Sequence, residues 1–253
     1  MNRQLSLAVE SSGPRSSVAV LDGEELLAEC EFARGSGGRG SGSPAAAADE
    51  ALRTAGAAPG DLSLVAASIG PGSYTGLRVG VSFAKCFAWA RSIETVAVPS
   101  MWALAEEALA TAGRPRPALL LATADAFRKQ VYLRCFSADD DRRSEPLTDD
   151  AVLPPEDAAS FVKSSLPSSA LEGCALVFGS GMSRYETPLR AALGELLTSA
   201  RFETSPVCPS AAAVGRIGLR LHRAGKALLP HDLAPLYLRK TEAEERLESG
   251  HRR

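Results

Sequence analysis

The stretch of this chain best suited to hold a ligand is Ser68-Ile-Gly-Pro-Gly-Ser-Tyr-Thr-Gly-Leu-Arg-Val-Gly80. Leu64 to Ile69 is apolar and β-branched enough for a strand, and Gly70-Pro71-Gly72 breaks it. Ser73 or Thr75 can then cap a helix by accepting a hydrogen bond from a backbone N–H two or three residues on. A glycine turn feeding a helix start presents free N–H groups to an anion such as phosphate. The plainer alternative is that Gly70 and Gly72 only permit positive φ at a crossover turn. The spacing is not a dinucleotide fingerprint: Gly76 comes one residue late, and the next strand, Thr95 to Val98, ends in no acid. Nor is it a Walker loop, since Leu77 rather than lysine follows Gly76.

Other reactive residues are sparse. The three histidines, His222, His231 and His251, are all late and not spaced as metal ligands. No Ser-His-Asp or Cys-His set can be assembled, which argues against a peptidase. The five cysteines, Cys30, Cys86, Cys135, Cys174 and Cys208, form no Cys-x-x-Cys pair and read as buried thiols in a reducing compartment. No catalytic residue or metal ligand is therefore assigned, and no intrinsic enzyme activity is expected. A chain of 253 residues allows one large domain or two small ones, and its 45% hydrophobic content is ordinary. The net charge of −2 offers no general attraction for nucleic acid. No apolar run reaches about 18 residues and no basic-then-apolar leader opens the chain, so a soluble cytoplasmic protein is expected.

The elements that would position these residues follow from periodicity and breakers. Leu5–Val9, Ser17–Leu21 and Leu26–Phe32 read as three strands, the last two joined by the hairpin signal Asp22-Gly23. Gly35–Gly42 has no apolar residue and cannot pack. Ser43-Pro44 then starts an alanine-rich helix ending at Gly56, with Ala45, Ala48, Leu52 and Ala55 as its thin apolar stripe. Met101–Ala112 is the next helix, and the breakers Gly113-Arg-Pro-Arg-Pro117 mark a domain boundary. The pattern then restarts: strands at Ala118–Ala122 and Gln130–Phe136, a helix opened by Pro154-Pro155, and a strand Ala175–Phe178. Gly179-Ser180-Gly181 follows as a bare turn, then helices Tyr185–Leu197 and Ser210–Ala224. A meander followed by helix, strand, helix, strand, helix, given twice, is the order of the duplicated actin-like ATPase (ribonuclease H-like) α/β fold. Expected lobes are 1–112 and a degenerate second lobe 113–240, with a helix near 210–224 completing the first. Residues 241–253 are a polar tail. In active ATPases of this fold an acid ending the first strand positions Mg²⁺, and Glu10 stands there with Ser11 and Ser12, matched in the second half by Asp125. The alternative for Glu10 is a polar residue at a strand end.

At about 100° per residue, Arg78, Ser82 and Lys85 share a narrow polar stripe of the helix Thr75–Trp89, with Trp89 beside it. Roughly 220° of its circumference is apolar or small, more than covering one sheet needs. Gly76, Gly80, Ala84 and Ala88 recur every fourth residue, which would let another helix approach closely. The alternative is a helix buried within its own domain. The run Gly-Pro-Gly-Ser-Tyr-Thr-Gly-Leu-Arg-Val-Gly resembles the signature of the TsaB (YeaZ) family, which serves threonylcarbamoylation of the adenosine next to the tRNA anticodon. Weaker echoes are Leu5–Ser12, Asp125–Tyr132, Val177–Gly181 and Ala234–Arg239. Gly40-Ser41 replaces a His-Ser pair common in the family. The resemblance implies a non-catalytic scaffold that pairs with and activates a TsaD-type catalytic subunit, joined by a TsaE-type ATPase. It also implies a homodimer when alone, tRNA met only through the complex, no tightly bound cofactor, and any ATP and Mg²⁺ entering at the level of the complex. The expected partner interface is Ala48, Leu52, Gly76, Leu77, Gly80, Phe83, Ala84, Phe87 and Ala88, with the Pro44–Ala55 helix flanking. An ATP-binding phosphotransferase or ATPase of the same fold is the alternative, with Glu10, Ser11, Ser12 and Asp125 as its nucleotide residues. The segment Leu236-Tyr237-Leu238 reads as a short docking element.

Overall fold

The computed structural model describes residues 4–32, 42–139, 141 and 143–238. Residues 35–41, with the Gly40-Ser41 position, and the tail 241–253 with His251 lie outside the described residues.

The first sheet is built from β1 (Leu5–Glu10), β2 (Ser17–Asp22), β3 (Glu25–Glu31), β4 (Leu62–Gly70) and β5 (Glu94–Pro99), in the order β3-β2-β1-β4-β5. β1 pairs antiparallel with β2 and parallel with β4. Because β1 is central and covered on both faces, every residue of its sequence LSLAVE is buried. Helix α1 (Pro44–Thr54) lies over β2 and β3, and α2 (Tyr74–Arg91) lies over β4 and β1. Ser43 caps α1, its hydroxyl accepting from the Ala46 N–H.

The second half repeats this plan in reduced form. It contains β6 (Leu119–Asp125), β7 (Val131–Ala138), β8 (Ser144–Pro146), β9 (Ala151–Leu153), β10 (Ala175–Phe178) and β11 (Arg201–Phe202). The sheet order is β11-β10-β6-β7-β8, with β9 also on β7. β6 pairs antiparallel with β7 and parallel with β10, as β1 does with β2 and β4. β8 and β11, the counterparts of β3 and β5, shrink to three and two residues. Two actin-like lobes, not one continuous sheet, are the result, as the element order implied.

Between the sheets lie α3 (Ser100–Thr111) and α7 (Ala211–Arg223), within one core that joins Ala66 and Val98 of the first sheet to Leu120 and Phe178 of the second. α7 crosses β1, β2, β4 and β5. It sits so close that a Cβ on Gly215 or Gly218 would stand 2.4 Å from Leu21 or Ala66. The outer face of the second sheet is covered by α4 (Ala158–Ser165) and α6 (Glu186–Gly194). The expected helix Tyr185–Leu197 is found as α6, shorter by three residues at its C-terminal end, and an unexpected short helix α5 (Ser180–Arg184) precedes it, the chain leaving helical geometry at Tyr185. Gly179-Ser180-Gly181 is accordingly a helix start rather than a bare turn. Gly179 has φ +100, and a Cβ there would meet the Thr123 carbonyl at 2.1 Å, so α5 can press onto β6 only without a side chain at this point.

Candidate functional site

The Gly-Pro-Gly turn carries α2 hard onto the end of β1. Gly70 has φ +121 and would place a Cβ 2.7 Å from the Leu236 carbonyl oxygen. Gly72 needs no positive φ, but its Cβ would stand 2.5 Å from the Ser12 carbonyl oxygen. That same carbonyl accepts from the Ser73 N–H at 2.8 Å, and the Ser73 hydroxyl caps α2 by accepting from the Gly76 N–H at 3.3 Å. The glycines therefore serve close backbone approach as much as backbone conformation.

Gly80 corrects the expectation for the small-residue stripe. A Cβ on Gly80 would lie 2.1 Å from Ser11 Oγ and 3.4 Å from Val9. Gly76, Leu77, Gly80, Ala84 and Ala88 are all buried, as are Ala48 and Leu52 of α1, and Ala48, Leu52, Ala84 and Ala88 pack into the core on the first sheet. They offer no surface to a partner, because the four-residue spacing brings the helix onto β1 and β4 instead. Of the nine expected interface residues only Phe83 and Phe87 are partly exposed, their rings 5.8 Å apart. The outward face of α2 instead presents Trp89, Cys86, Val79, Ala90, Phe83 and Phe87, an arc of about 160° at 100° per residue. Ser82 and Thr75 are the polar residues within it. Trp89 is 75% exposed.

Glu10 ends β1 but turns into its own loop. Oε1 accepts from the Ser12 N–H at 2.5 Å, the Ser12 hydroxyl at 2.6 Å and the Gly13 N–H at 3.2 Å. The residue is wholly buried, and that desolvation pushes its carboxyl above the usual carboxylate range despite these donors. Ser11 is buried under α2, its N–H donating to Ser68 Oγ at 3.3 Å. Ser12 and Asp125 do meet, from opposite lobes, in the lining of an interlobe cleft of about 1050 Å³. Asp125 is already engaged: Oδ2 pairs with Arg184 at 3.0 Å, and Oδ1 accepts from the Phe127 N–H at 2.8 Å and the Tyr185 hydroxyl at 3.3 Å.

Two further features complete the cleft: the expected docking of the Leu236–Leu238 segment, and a turn form that no sequence signal announces. First, Leu236 docks on the signature turn, its N–H donating to the Ile69 carbonyl at 2.7 Å. Tyr237 is thereby laid 5.0 Å from the Tyr74 ring, and Arg78 stands 4.3 Å over Tyr74 while its Nε donates to the Tyr237 hydroxyl at 3.2 Å. Second, the β6–β7 turn holds Phe127, Arg128 and Lys129 at φ +58, +51 and +61. Each such residue with a side chain costs on the order of 1 kcal/mol. No glycine marks this turn, so the sequence gives no sign of it. Among the described residues no cluster of three or more His, Cys, Asp or Glu could hold a metal, and no helix is long and apolar enough to cross a membrane.

The topology and the interlobe cleft define a two-lobed actin-like protein in which Asp125, the acid lining the cleft, is engaged by Arg184, Tyr185 and the Phe127 N–H. The family model described as TsaD: tRNA N6-adenosine threonylcarbamoyltransferase matches residues 44–171. A Bacillus subtilis (strain 168) relative, tRNA threonylcarbamoyladenosine biosynthesis protein TsaB, is 47% identical over 75 residues, 30% of this chain and 31% of that protein. The Escherichia coli (strain K12) protein of the same description is 26% identical over 201 residues, 78% of this chain and 79% of that one. The solved structure of YeaZ from Pseudomonas aeruginosa superposes with a TM-score of 0.70 at 21% identity, over 93% of this chain and 100% of that one, which shows the shared fold. The chain belongs to the family that the matching model describes, in its TsaB (YeaZ) branch. It spans about a third of the length of the Bacillus relative and less than half of the curated threonylcarbamoyltransferases from Streptococcus mutans and Enterococcus faecalis that it also matches.

Proposed function

We propose that this chain is a non-catalytic subunit of the machinery that forms threonylcarbamoyladenosine next to the anticodon of tRNAs, pairing with and activating a TsaD-type catalytic subunit. The observation that carries this reading is the outward apolar arc of α2, from Trp89 through Val79 to Phe87. A helix needs only a stripe a little over 100° wide to cover its sheet, and α2 has a second apolar face beyond that. Specific interfaces bury about 1,600 Å² in total and depend on a few large central side chains; Trp89, 75% exposed, is such an anchor. A second copy of the chain would use the same face when the partner is missing. A TsaE-type ATPase, with its ATP and Mg²⁺, and tRNA would join at the level of the complex. The test is size exclusion of the chain mixed with the catalytic paralogue, followed by tRNA modification with the full set of subunits. Failure of the wild-type chain to pair would overturn the reading.

The cleft favours a second reading, an ATP-binding phosphotransferase of the same fold, since its volume of about 1050 Å³ admits a mononucleotide. Against it, Asp125 would have to give up existing partners before it could position Mg²⁺, and Glu10 is wholly buried and does not line the cleft. Titration of the isolated chain with Mg·ATP decides: saturable binding with turnover lost in Asp125→Ala would favour the phosphotransferase.

A further inference from the structure

We propose that the mouth of the interlobe cleft takes an unpaired nucleotide of RNA, its base stacked on the exposed aromatic rings and its flanking phosphates on the surrounding cations; this rests on the tRNA-modification reading above. Nine large hydrophobic side chains are exposed among the described residues, and four of them, Tyr74, Phe127, Leu236 and Tyr237, line this one cleft. Three of the four are aromatic and come from three separate elements: the start of α2, the β6–β7 turn and the C-terminal segment. Exposed rings gathered from distant parts of a chain mark a binding surface rather than an accident of packing.

The charges around the rings narrow the occupant. Arg78 stacks on Tyr74 at 4.3 Å and donates to Tyr237 at 3.2 Å. Arg128 and Lys129 follow Phe127 in the turn, and both are exposed. Arg184, its side chain 59% exposed, pairs with Asp125. Glu10 lies buried beneath the Ser12 loop. Arg128 in the lining and Arg78 and Lys129 beside it thus stand against a single lining acid, Asp125, which Arg184 already pairs, on a chain of net charge −2. An acidic peptide would answer the cations and leave the flat ring faces unmatched. An unpaired nucleotide within RNA supplies both, since every base has a π-face and each is flanked by phosphates. The left-handed turn fits this use. Three consecutive residues with side chains are held at φ +58, +51 and +61, where glycine would be free of strain, and the result is that Phe127 stands 66% exposed at the cleft edge.

The test uses the full chain, alone and paired with the catalytic subunit, and a short single-stranded RNA carrying 2-aminopurine, whose fluorescence is quenched by stacking. Quenching is expected with the wild type. Phe127→Ala should weaken binding about fivefold or more, Phe127→Trp should restore it, and Arg128→Ala with Lys129→Ala should make the slope of log affinity against log salt shallower by about 1.4. AMP should compete poorly. Absence of quenching by the wild type, equal binding by wild type and Phe127→Ala, or displacement of the RNA by AMP at matched concentration would each overturn the proposal, the last in favour of a mononucleotide pocket. Pairing with the catalytic subunit is measured on the same samples. Intact pairing with unaffected RNA binding defeats this inference alone, whereas a wild type that does not pair defeats the subunit reading.

Discussion

Replacing Trp89 separates a docking helix from a merely structural one. Trp89 sits in the last turn of α2, three-quarters exposed, with Phe83, Cys86 and Val79 on the same face. An aromatic side chain buries about 150–250 Å² when fully covered, so covering the exposed three-quarters removes roughly 110–190 Å² from water. At about 25 cal/mol per Å² that is about 3–5 kcal/mol. Side-chain ordering on binding subtracts about 1 kcal/mol, leaving about 2–4 kcal/mol, a loss of roughly 30- to 1,000-fold in affinity for Trp89→Ala. In the free chain the same change touches solvent and should move stability by no more than about 0.5 kcal/mol. The assay is the affinity for the catalytic paralogue by calorimetry, with thermal denaturation of the free variant as control. Phe83→Glu gives a second reading, because a charge forced into a dry contact costs several kcal/mol. Native-like melting with undiminished pairing for both variants would refute the assignment of this face.

Further consequences concern the monomer. Gly80→Ala should destabilise by about 1–3 kcal/mol, read as a lowered denaturation midpoint, because Ser11 and Val9 leave no room for a methyl group. Ser92→Gly should stabilise by about 0.5–1 kcal/mol, raising Tm by about 1–4 °C, since Ser92 closes α2 in the left-handed conformation with φ +54. Asp150 pairs with Arg134 at 3.3 Å, yet burial pushes its carboxyl up from 3.8 to about 6. A carboxyl raised on folding stabilises most below its unfolded pKa and loses that contribution as pH rises through its folded value. The stability of the wild type relative to Asp150→Asn should therefore fall by about 2 kcal/mol between pH 4 and 7, measured by urea unfolding. A flat difference across that range would contradict the burial argument.

Long, strongly patterned elements could be read from sequence and short or distant ones could not. β1, β2, β4 and β10 announce themselves as apolar runs ended by glycine or acid, and Ser43-Pro44 signals the start of α1. β8, β9 and β11 have two or three residues each, too few for any period. The five-residue helix α5 is too short for a period and opens at glycines that read as a turn, while Pro188 falls in the first turn of α6, where proline is tolerated. In the site, the strand–turn–helix around Gly70–Gly76 was legible because its glycines are required sterically. The facing of α2 was not: small residues every fourth position allow close approach to a helix or to a sheet with the same pattern, and only the position of Ser11 decides between them. Tyr74 and Tyr237 are stacked across most of the chain length, a pairing that no local pattern encodes.

The same turn also explains how an actin-like lobe can keep its architecture while its first acid serves another end. A carboxylate that positions Mg²⁺ must offer its oxygens to the cleft. Glu10 spends Oε1 on two backbone N–H groups and a hydroxyl of residues 12 and 13, which fixes the loop whose Ser12 carbonyl in turn receives the Ser73 N–H. The chain of bonds runs from the end of β1, through Ser12, to the cap of α2. Removing the Glu10 carboxylate should thus act on α2 placement rather than on chemistry. Glu10→Gln keeps an acceptor for the Ser12 and Gly13 N–H groups and removes a buried acid whose ionisation is disfavoured, so it should fold and pair with the catalytic subunit. Glu10→Ala leaves those donors unanswered at about 1–3 kcal/mol and should weaken pairing through the loosened start of α2. Equal loss of pairing in both variants would show that the charge itself, not the hydrogen-bonded turn, is what the lobe requires.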